Sequence, residues 1–258
     1  MLLAADNIHA MNPVVSNALR ELDPAPIRDI VRACEIGGAQ LIDLNPGFLS
    51  KRNEDRMAFL VETVQSVTSA GLILDSPNPR VLERGLAVCA ETPILNALSL
   101  EQRKLDEILP LAADHQTGLV LLLMDERSFT PPSMEEKTAI ASELRERCLD
   151  AGIHDDKLIF DPVLPNLSWD DAYYRISEGL KTVRLLAGGA LFQYPVQTMV
   201  GLSNLRSGQT SRYSVEIEKT CLMLFAGAGL KIALANSLRP DLTTVLESIR
   251  QMTSSDTD

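Results

Sequence analysis

Six short apolar runs in this chain each close on an aspartate or an asparagine. QLIDLN ends in Asp43 and Asn45, LILD in Asp75, ILN in Asn96, LIFD in Asp161, VGLSN in Asn204 and LKIALAN in Asn236. Buried polar side chains are costly unless they gather at one solvent-facing end. A carboxylate accepts two parallel hydrogen bonds, so it complements a ring N–H beside an exocyclic amine. A carboxamide offers one donor and one acceptor edge and fits the mixed edge of the same kind of ring. No lysine, cysteine or histidine converges with them. The set therefore points to recognition of a planar, amide-rich heterocycle such as guanine or a pterin, and away from covalent catalysis or a metal.

The elements that must position these residues follow from the pattern around them. Short apolar runs alternating with amphipathic segments predict parallel strands buried on both faces. The spacing predicts strands at about Leu2–Ala5, Ala39–Leu44, Leu72–Asp75, Ile94–Asn96, Leu119–Met124, Lys157–Asp161, Thr198–Leu202 and Leu230–Ala235. Helices are expected over Pro24–Gly37, Asn53–Ser69, from the SPNP turn to Cys89, over Leu100–Thr117, Met134–Ala151, Asp170–Leu186 and Val215–Ala228, and from Pro240 onward. Eight βα units without a break in composition predict a (β/α)8 TIM barrel occupying residues 1–258 as one domain, with TSSDTD as a frayed tail. Strand ends that all aim polar groups one way are how such a barrel builds a site at its C-terminal mouth. A dinucleotide-binding fold would need a glycine-rich turn after the first strand, and none is present.

Composition narrows the classes further. A net charge of −11 leaves no basic face for a phosphate backbone, and aromatics at 4% give no stacking platform for single-stranded nucleic acid. The cysteines Cys34, Cys89, Cys148 and Cys221 are far apart and form no CxxC, so reduced thiols in a cytoplasmic protein are expected. His9, His115 and His154 are scattered as well. The first residues carry no signal-peptide pattern, and LVLLLM at 119–124 is too short to span a bilayer.

Read together, IDLNPG ending at Gly47, LDS at 74–76, ILN at 94–96, IFDP at 159–162 and GLSN at 201–204 resemble the pterin-binding barrel family. Their order and spacing are similar to those of methyltetrahydrofolate:corrinoid protein methyltransferases, and ELDPAP at 21–26 and ILPLAADHQ at 108–116 extend the likeness over nearly the whole chain. The resemblance implies that Asp75, Asn96 and Asp161 hold the pterin and that Asn204 reaches N5. Asp43, Asn45, Gly201, Ser203 and Ser207 complete the implied substrate site. The rival reading makes each strand-end residue a helix N-cap, where Asp and Asn are also favoured.

The resemblance further implies methyltetrahydrofolate as substrate, a corrinoid carried by a partner protein (a corrinoid iron–sulfur protein is one candidate) and a homodimer. Transfer in either direction would use the same site. Two departures stand out. ADNIH at Ala5–His9 replaces a GERIN-like strand end, with Asp6 in place of the acidic residue and Asn7 unable to supply a cation, and Ser207 is shorter than the glutamine of some relatives. Dihydropteroate synthase shares the barrel and pocket. That alternative calls for a phosphate-binding loop near the first strand and basic residues after strands seven and eight. Here NIHAMNPVV and Asn236 stand at those places, with Arg206 and Arg212 as nearby cations expected in a solvated loop. A non-catalytic pterin-binding protein and a barrel enzyme of another chemistry, with Asp43 or Asp161 as a base, are the further alternatives.

Overall fold

A computed structural model describes residues 1–47, 54–208 and 212–253. Its strands are β1 (Leu2–His9), β2 (Leu41–Asn45), β3 (Gly71–Asp75), β4 (Ile94–Leu98), β5 (Gly118–Leu122), β6 (Leu158–Asp161), β7 (Gln197–Gly201) and β8 (Ile232–Ala235). The helices between and after them are α1 (Pro13–Glu21), α2 (Pro24–Ile36), α3 (Arg56–Gln65), α4 (Pro79–Leu86), α5 (Gln102–His115), α6 (Met134–Asp150), α7 (Ala172–Ala187), α8 (Glu216–Gly227) and α9 (Pro240–Thr253). The strands follow one another around a closed barrel, and β1 pairs in parallel with β8 through Leu2 opposite Ile232. This is the (β/α)8 barrel expected from the sequence. Asn53 and residues 254–258, placed in a helix and a tail by the sequence reading, lie outside the described residues.

The two faces of each strand explain the near-continuous apolar runs. Ile42, Leu44, Leu74, Leu95, Leu119, Leu121, Leu158 and Phe160 are fully buried in the layer that packs against the helices. Their neighbours Ala4, Ile73, Val120, Ile159, Met199 and Ile232 form a separate cluster inside the barrel. Side chains alternate along a strand, so the position two residues beyond an inner apolar residue faces inward again, one layer nearer the mouth. Ala4 thus leads to Asp6, Ile73 to Asp75, Ile159 to Asp161 and Met199 to Gly201. The same step from Leu41 gives Asp43, and from Ile94 gives Asn96. Cross-strand register levels these ends, with Asp75 opposite Asn96 and Leu122 opposite Asp161.

The first βα unit differs from expectation in two ways. β1 continues to His9, and its pairing with β2 shifts between Ala5 (opposite Ile42) and Ile8 (opposite Leu44). That bulge inserts one extra residue, which re-aims side chains locally. The helical region also divides. Asn12 caps α1 by accepting from Val14 N, with Pro13 opening the helix, and Leu22 ends it at φ 56°. Asp23 then caps α2 in the same way through Ala25 N. Elsewhere Asn78 caps α4 and Ser133 caps α6. Among the described residues no strand-end Asp or Asn provides a side-chain cap to a helix, so the capping alternative does not account for them.

The barrel seam is held at the mouth by polar contacts. Asn7 Nδ2 donates to Asn236 Oδ1 at 2.8 Å, while Asn7 Oδ1 accepts from Ser237 N at 3.1 Å and Ser237 Oγ at 3.0 Å. Gly37, just past α2, lies beneath this loop: a Cβ there would sit 2.2 Å from the Ser237 carbonyl oxygen. The obstructing atom is backbone and cannot swing aside. Gly37→Ala is therefore expected to lower the unfolding free energy by about 1–3 kcal/mol, the usual range for overpacking. Urea denaturation measures it, and an unchanged midpoint would show that the loop is not tied as described.

Candidate pterin site at the barrel mouth

A cavity of about 700 Å³ opens at the C-terminal end of the strands. Six of the expected residues line it: Asp43, Asn45, Asp75, Ser203, Asn204 and Ser207. Asn96, Asp161 and Gly201 are buried and are not part of its wall. The Asn96 amide instead acts on the Asp43 carboxyl, opposing the rise of its pKa. Gly201 provides space, since a Cβ on it would lie 3.1 Å from Asn204 Nδ2. Asp161 Oδ1 accepts from Val163 N at 2.8 Å, a turn that fixes the carboxylate just past its own strand.

The carboxylates are crowded together, Asp43 and Asp161 buried and Asp6 and Asp75 half-buried. Asp43 is 4% exposed, and its Oδ1 has no hydrogen-bond partner among the described residues. Burial pushes its pKa well up, the charges of Asp75 and Asp6 add to this, and the Asn96 amide opposes it. Asp75 accepts from Asn45 Nδ2 at 2.7 Å; burial raises it to about 6 against the opposing effects of Asn45 and Lys104. Burial also raises Asp6, whose carboxylate accepts a hydrogen bond from Ser203 Oγ. Asp161 is lifted to about 7 by burial, tempered by Val163 N–H and the Lys137 charge. At about 6 and about 7, Asp75 and Asp161 change between acceptor and donor close to neutral pH. An edge carrying N–H donors would satisfy the orphaned Asp43 oxygen and favour the charged forms.

Ser203 and Asn204 stand on a single 3-10 turn, Leu202–Arg206, that follows β7. Leu202 and Leu205 are buried on one side of the turn, which leaves Ser203 and Asn204 exposed on the other. Asn166, from the loop after β6, supports this turn by donating to the backbone oxygens of Asn204 at 3.2 Å and Ser207 at 2.8 Å. Only tertiary proximity reveals that prop.

The basic residues near the mouth depart from the sequence reading. Arg206 does not belong to a solvated loop. It donates to Tyr213 O at 2.8 Å and pairs with Glu218 at 3.2 Å, the side chains being 12% and 9% exposed. Arg239, three residues past Asn236, also reaches the cavity wall and pairs with the same Glu218 carboxylate, as well as with Asp241 at 2.7 Å. Neither Glu218 nor Arg239 carries a local motif that could have announced this. His9 and Asn12 line the cavity as well, through the lengthened β1 and its turn. Among the described residues no group of three or more His, Cys, Asp or Glu side chains is arranged to hold a metal ion, and no helix is long and apolar enough to cross a membrane.

Stability should record the cost of this site. The folded protein holds the Asp75 proton more tightly than the unfolded chain does. Asp75 therefore subtracts stability as pH rises from about 4 through about 6, and the deficit is constant above that. Asp75→Asn is expected to raise the unfolding free energy at pH 8 by up to about 3 kcal/mol and to change it little at pH 4. Chemical denaturation at the two pH values checks this, and equal effects at both would refute the buried-carboxylate account.

Comparison with known proteins agrees with the geometry. The chain is 26% identical over 231 residues to a methylcorrinoid:tetrahydrofolate methyltransferase of Eubacterium limosum, covering 88% of this chain and 82% of that protein. It is 23% identical over 215 residues to a methionine synthase of Mycobacterium leprae, covering 81% of this chain and 18% of that protein. A solved dihydropteroate synthase of Yersinia pestis, in a sulfonamide drug complex, has the same fold: TM-score 0.71 and 18% identity, over 98% of this chain and 94% of that one. The family model described as "Pterin binding enzyme" matches residues 13–233, and with that match the chain belongs to the pterin-binding enzyme family.

Proposed function

We propose that this barrel transfers a methyl group between N5 of tetrahydrofolate and the cobalt of a corrinoid carried by a separate protein. The observation that carries the reading is the cavity wall itself: Asp43, Asn45 and Asp75 on adjacent strands, with Asn204 facing them from the turn after β7. Carboxylates and carboxamides match the amidine and amide edges of a pterin. The methyltransferase from Eubacterium limosum, similar along most of both chains, supports the same choice. Residues 1–258 would form one domain devoted to this task, and Asn96, Asp161, Gly201, Ser203 and Ser207 would complete the substrate site.

In this reading the methyl group leaves N5 as a cation equivalent and is taken by a cobalt(I) nucleophile on the partner. N5 keeps the bonding electron pair, and a proton from solvent compensates it. Without that proton the leaving group would be an amide anion, so the chemical obstacle lies at N5. The Asn204 carboxamide cannot act as a general acid. It accepts a hydrogen bond from N5–H as positive charge builds there, and so stabilises the transition state more than the ground state. Its exposed place beside the opening leaves room for the partner to approach.

The dihydropteroate synthase reading gains Arg239 at the mouth, but both guanidinium groups there share the Glu218 carboxylate. A departing diphosphate calls for cations not already neutralised in this way. A homodimer is also proposed; the half-exposed Met223 and Leu224 on α8 and the exposed Met252 on α9 offer an apolar face for it.

Asn204→Ala is expected to slow single-turnover methyl transfer to cob(I)alamin by roughly 10²–10³, with a much smaller loss of methyltetrahydrofolate affinity measured on the same variant. Equal losses in rate and affinity would make Asn204 a simple binding residue, and no loss in either would remove it from the site. Light scattering at micromolar concentration is expected to give twice the chain mass; a single 28.2 kDa species would refute the dimer.

A further inference from the structure

Lys137, on the second turn of α6, is 1% exposed, a rare state for a lysine. Its Nζ donates to the Pro162 carbonyl oxygen at 3.0 Å. Pro162 follows Asp161, and the next residue, Val163, has φ 55°, a conformation that β-branched residues strongly disfavour. Val163 N donates to Asp161 Oδ1 at 2.8 Å. The corner Asp161–Pro162–Val163 is thus pinned by two bonds, one from its own carboxylate and one from the buried ammonium.

The other charges around Lys137 are committed elsewhere. Arg175 on α7 pairs with Asp171 at 2.8 Å, donates to Thr130 O at 2.7 Å, and lies over the Phe129 and Trp169 rings. Glu178 on α7 pairs with Lys181 at 2.6 Å and accepts from Met134 N at 2.9 Å. Glu136, on α6 itself, is held in the capping box with Ser133. Asp161 is the acidic group left for the ammonium to serve.

We propose that Lys137 is a positioning residue for pterin recognition: through the Pro162 carbonyl it fixes the Asp161 corner, and it sets a buried positive charge behind that carboxyl group. The carboxylate is the form that accepts the paired N–H donors of a pterin amidine edge. Asp161 faces the barrel interior behind the present cavity wall, so the ring that meets it enters beyond that wall. This rests on the functional reading above. Burial lifts Asp161 to about 7 and lowers Lys137 to about 8, while each opposite charge counters the shift of the other. Arg175 adds to the lowering of Lys137, and Glu136 and Glu178 oppose it. Asp161 is protonated below this window and Lys137 is neutral above it, so both are charged together only close to neutrality.

The test follows the methyltetrahydrofolate dissociation constant by calorimetry from pH 5.5 to 9.5 in the intact chain, for wild type, Lys137→Met and Lys137→Arg. In parallel, the Asp161 carboxyl carbon is titrated in ¹³C-aspartate-labelled protein, assigned with Asp161→Asn. In Lys137→Met the Asp161 titration and the acid limb of binding are expected to move up by at least about one pH unit. Affinity at pH 7 then falls at least about fivefold and recovers at alkaline pH, while Lys137→Arg keeps the wild-type acid limb. An unshifted Asp161 titration, or an affinity loss equal at every pH, would overturn the proposal. If wild type binds no methyltetrahydrofolate, the functional reading fails, and the carboxyl titration still decides the role of Lys137. Should Lys137→Met not fold, the wild-type Asp161 resonance must show a second inflection near pH 8 as Lys137 discharges; a single inflection overturns the assignment.

Discussion

Inside a closed parallel barrel, every second side chain of a strand must face either the helices or the strands opposite. In this protein that alternation places a layer of Ala4, Ile73, Val120, Ile159, Met199 and Ile232 at the barrel centre. The next inward positions toward the mouth then have only two possibilities, to extend the apolar layer or to open a site. Six of them are Asp6, Asp43, Asp75, Asn96, Asp161 and Gly201, while Leu122 on β5 and Leu234 on β8 extend the apolar layer. The packed layer below excludes water and the mouth above admits it, so the polar ring sits at a dielectric boundary. Most of the chemistry described here follows from that position.

Burial at this boundary is unfavourable for charge, and the protein does not fully compensate it. Asp6, Asp43, Asp75 and Asp161 all have raised pKa values with burial as the largest cause. Carboxamides and hydroxyls temper the shifts: Asn45 at Asp75, Asn96 at Asp43, Ser203 at Asp6. A ring of fully paired carboxylates would be more stable and would have nothing left with which to bind. The unpartnered Asp43 oxygen is where this tension between stability and binding is plainest. Lys137 adds a buried ammonium at the turn after β6, where it donates to the Pro162 carbonyl oxygen.

Sharing a barrel with dihydropteroate synthase does not carry that enzyme's chemistry across, because function resides in the site placed on a fold. The site has a local feature of its own. Arg206 and Arg239 reach the mouth from different loops, and Glu218 on α8 ties them together. Their charge closes the structure between the β7 and β8 loops and helps to frame the cavity. The same two arginines with an alanine in place of Glu218 would present a different surface to anions.

Much of this arrangement is legible in the sequence because it is periodic or local. Alternating apolar runs and amphipathic segments give eight βα units, and a polar residue at the end of a run marks the mouth; Asp43, Asn45, Asp75 and Asn204 are found on that logic. Where the reading fell short, the cause was a contact between distant segments. The extension of β1 to His9 depends on a bulge against β2, and the Asn7–Asn236–Ser237 seam joins the two ends of the chain. Arg206 reads as a solvated loop residue until α8 brings Glu218 to it. Lys137 carries no local signal of its burial, which arises only when α6 packs it against the turn after β6. The sequence by itself determined which residues could be inward-facing and polar, since a strand's period is set by the backbone. Only the closed barrel decided which of them share a cavity, which are spent on one another and which stay buried without a partner, because those outcomes depend on through-space distance and on exclusion of water.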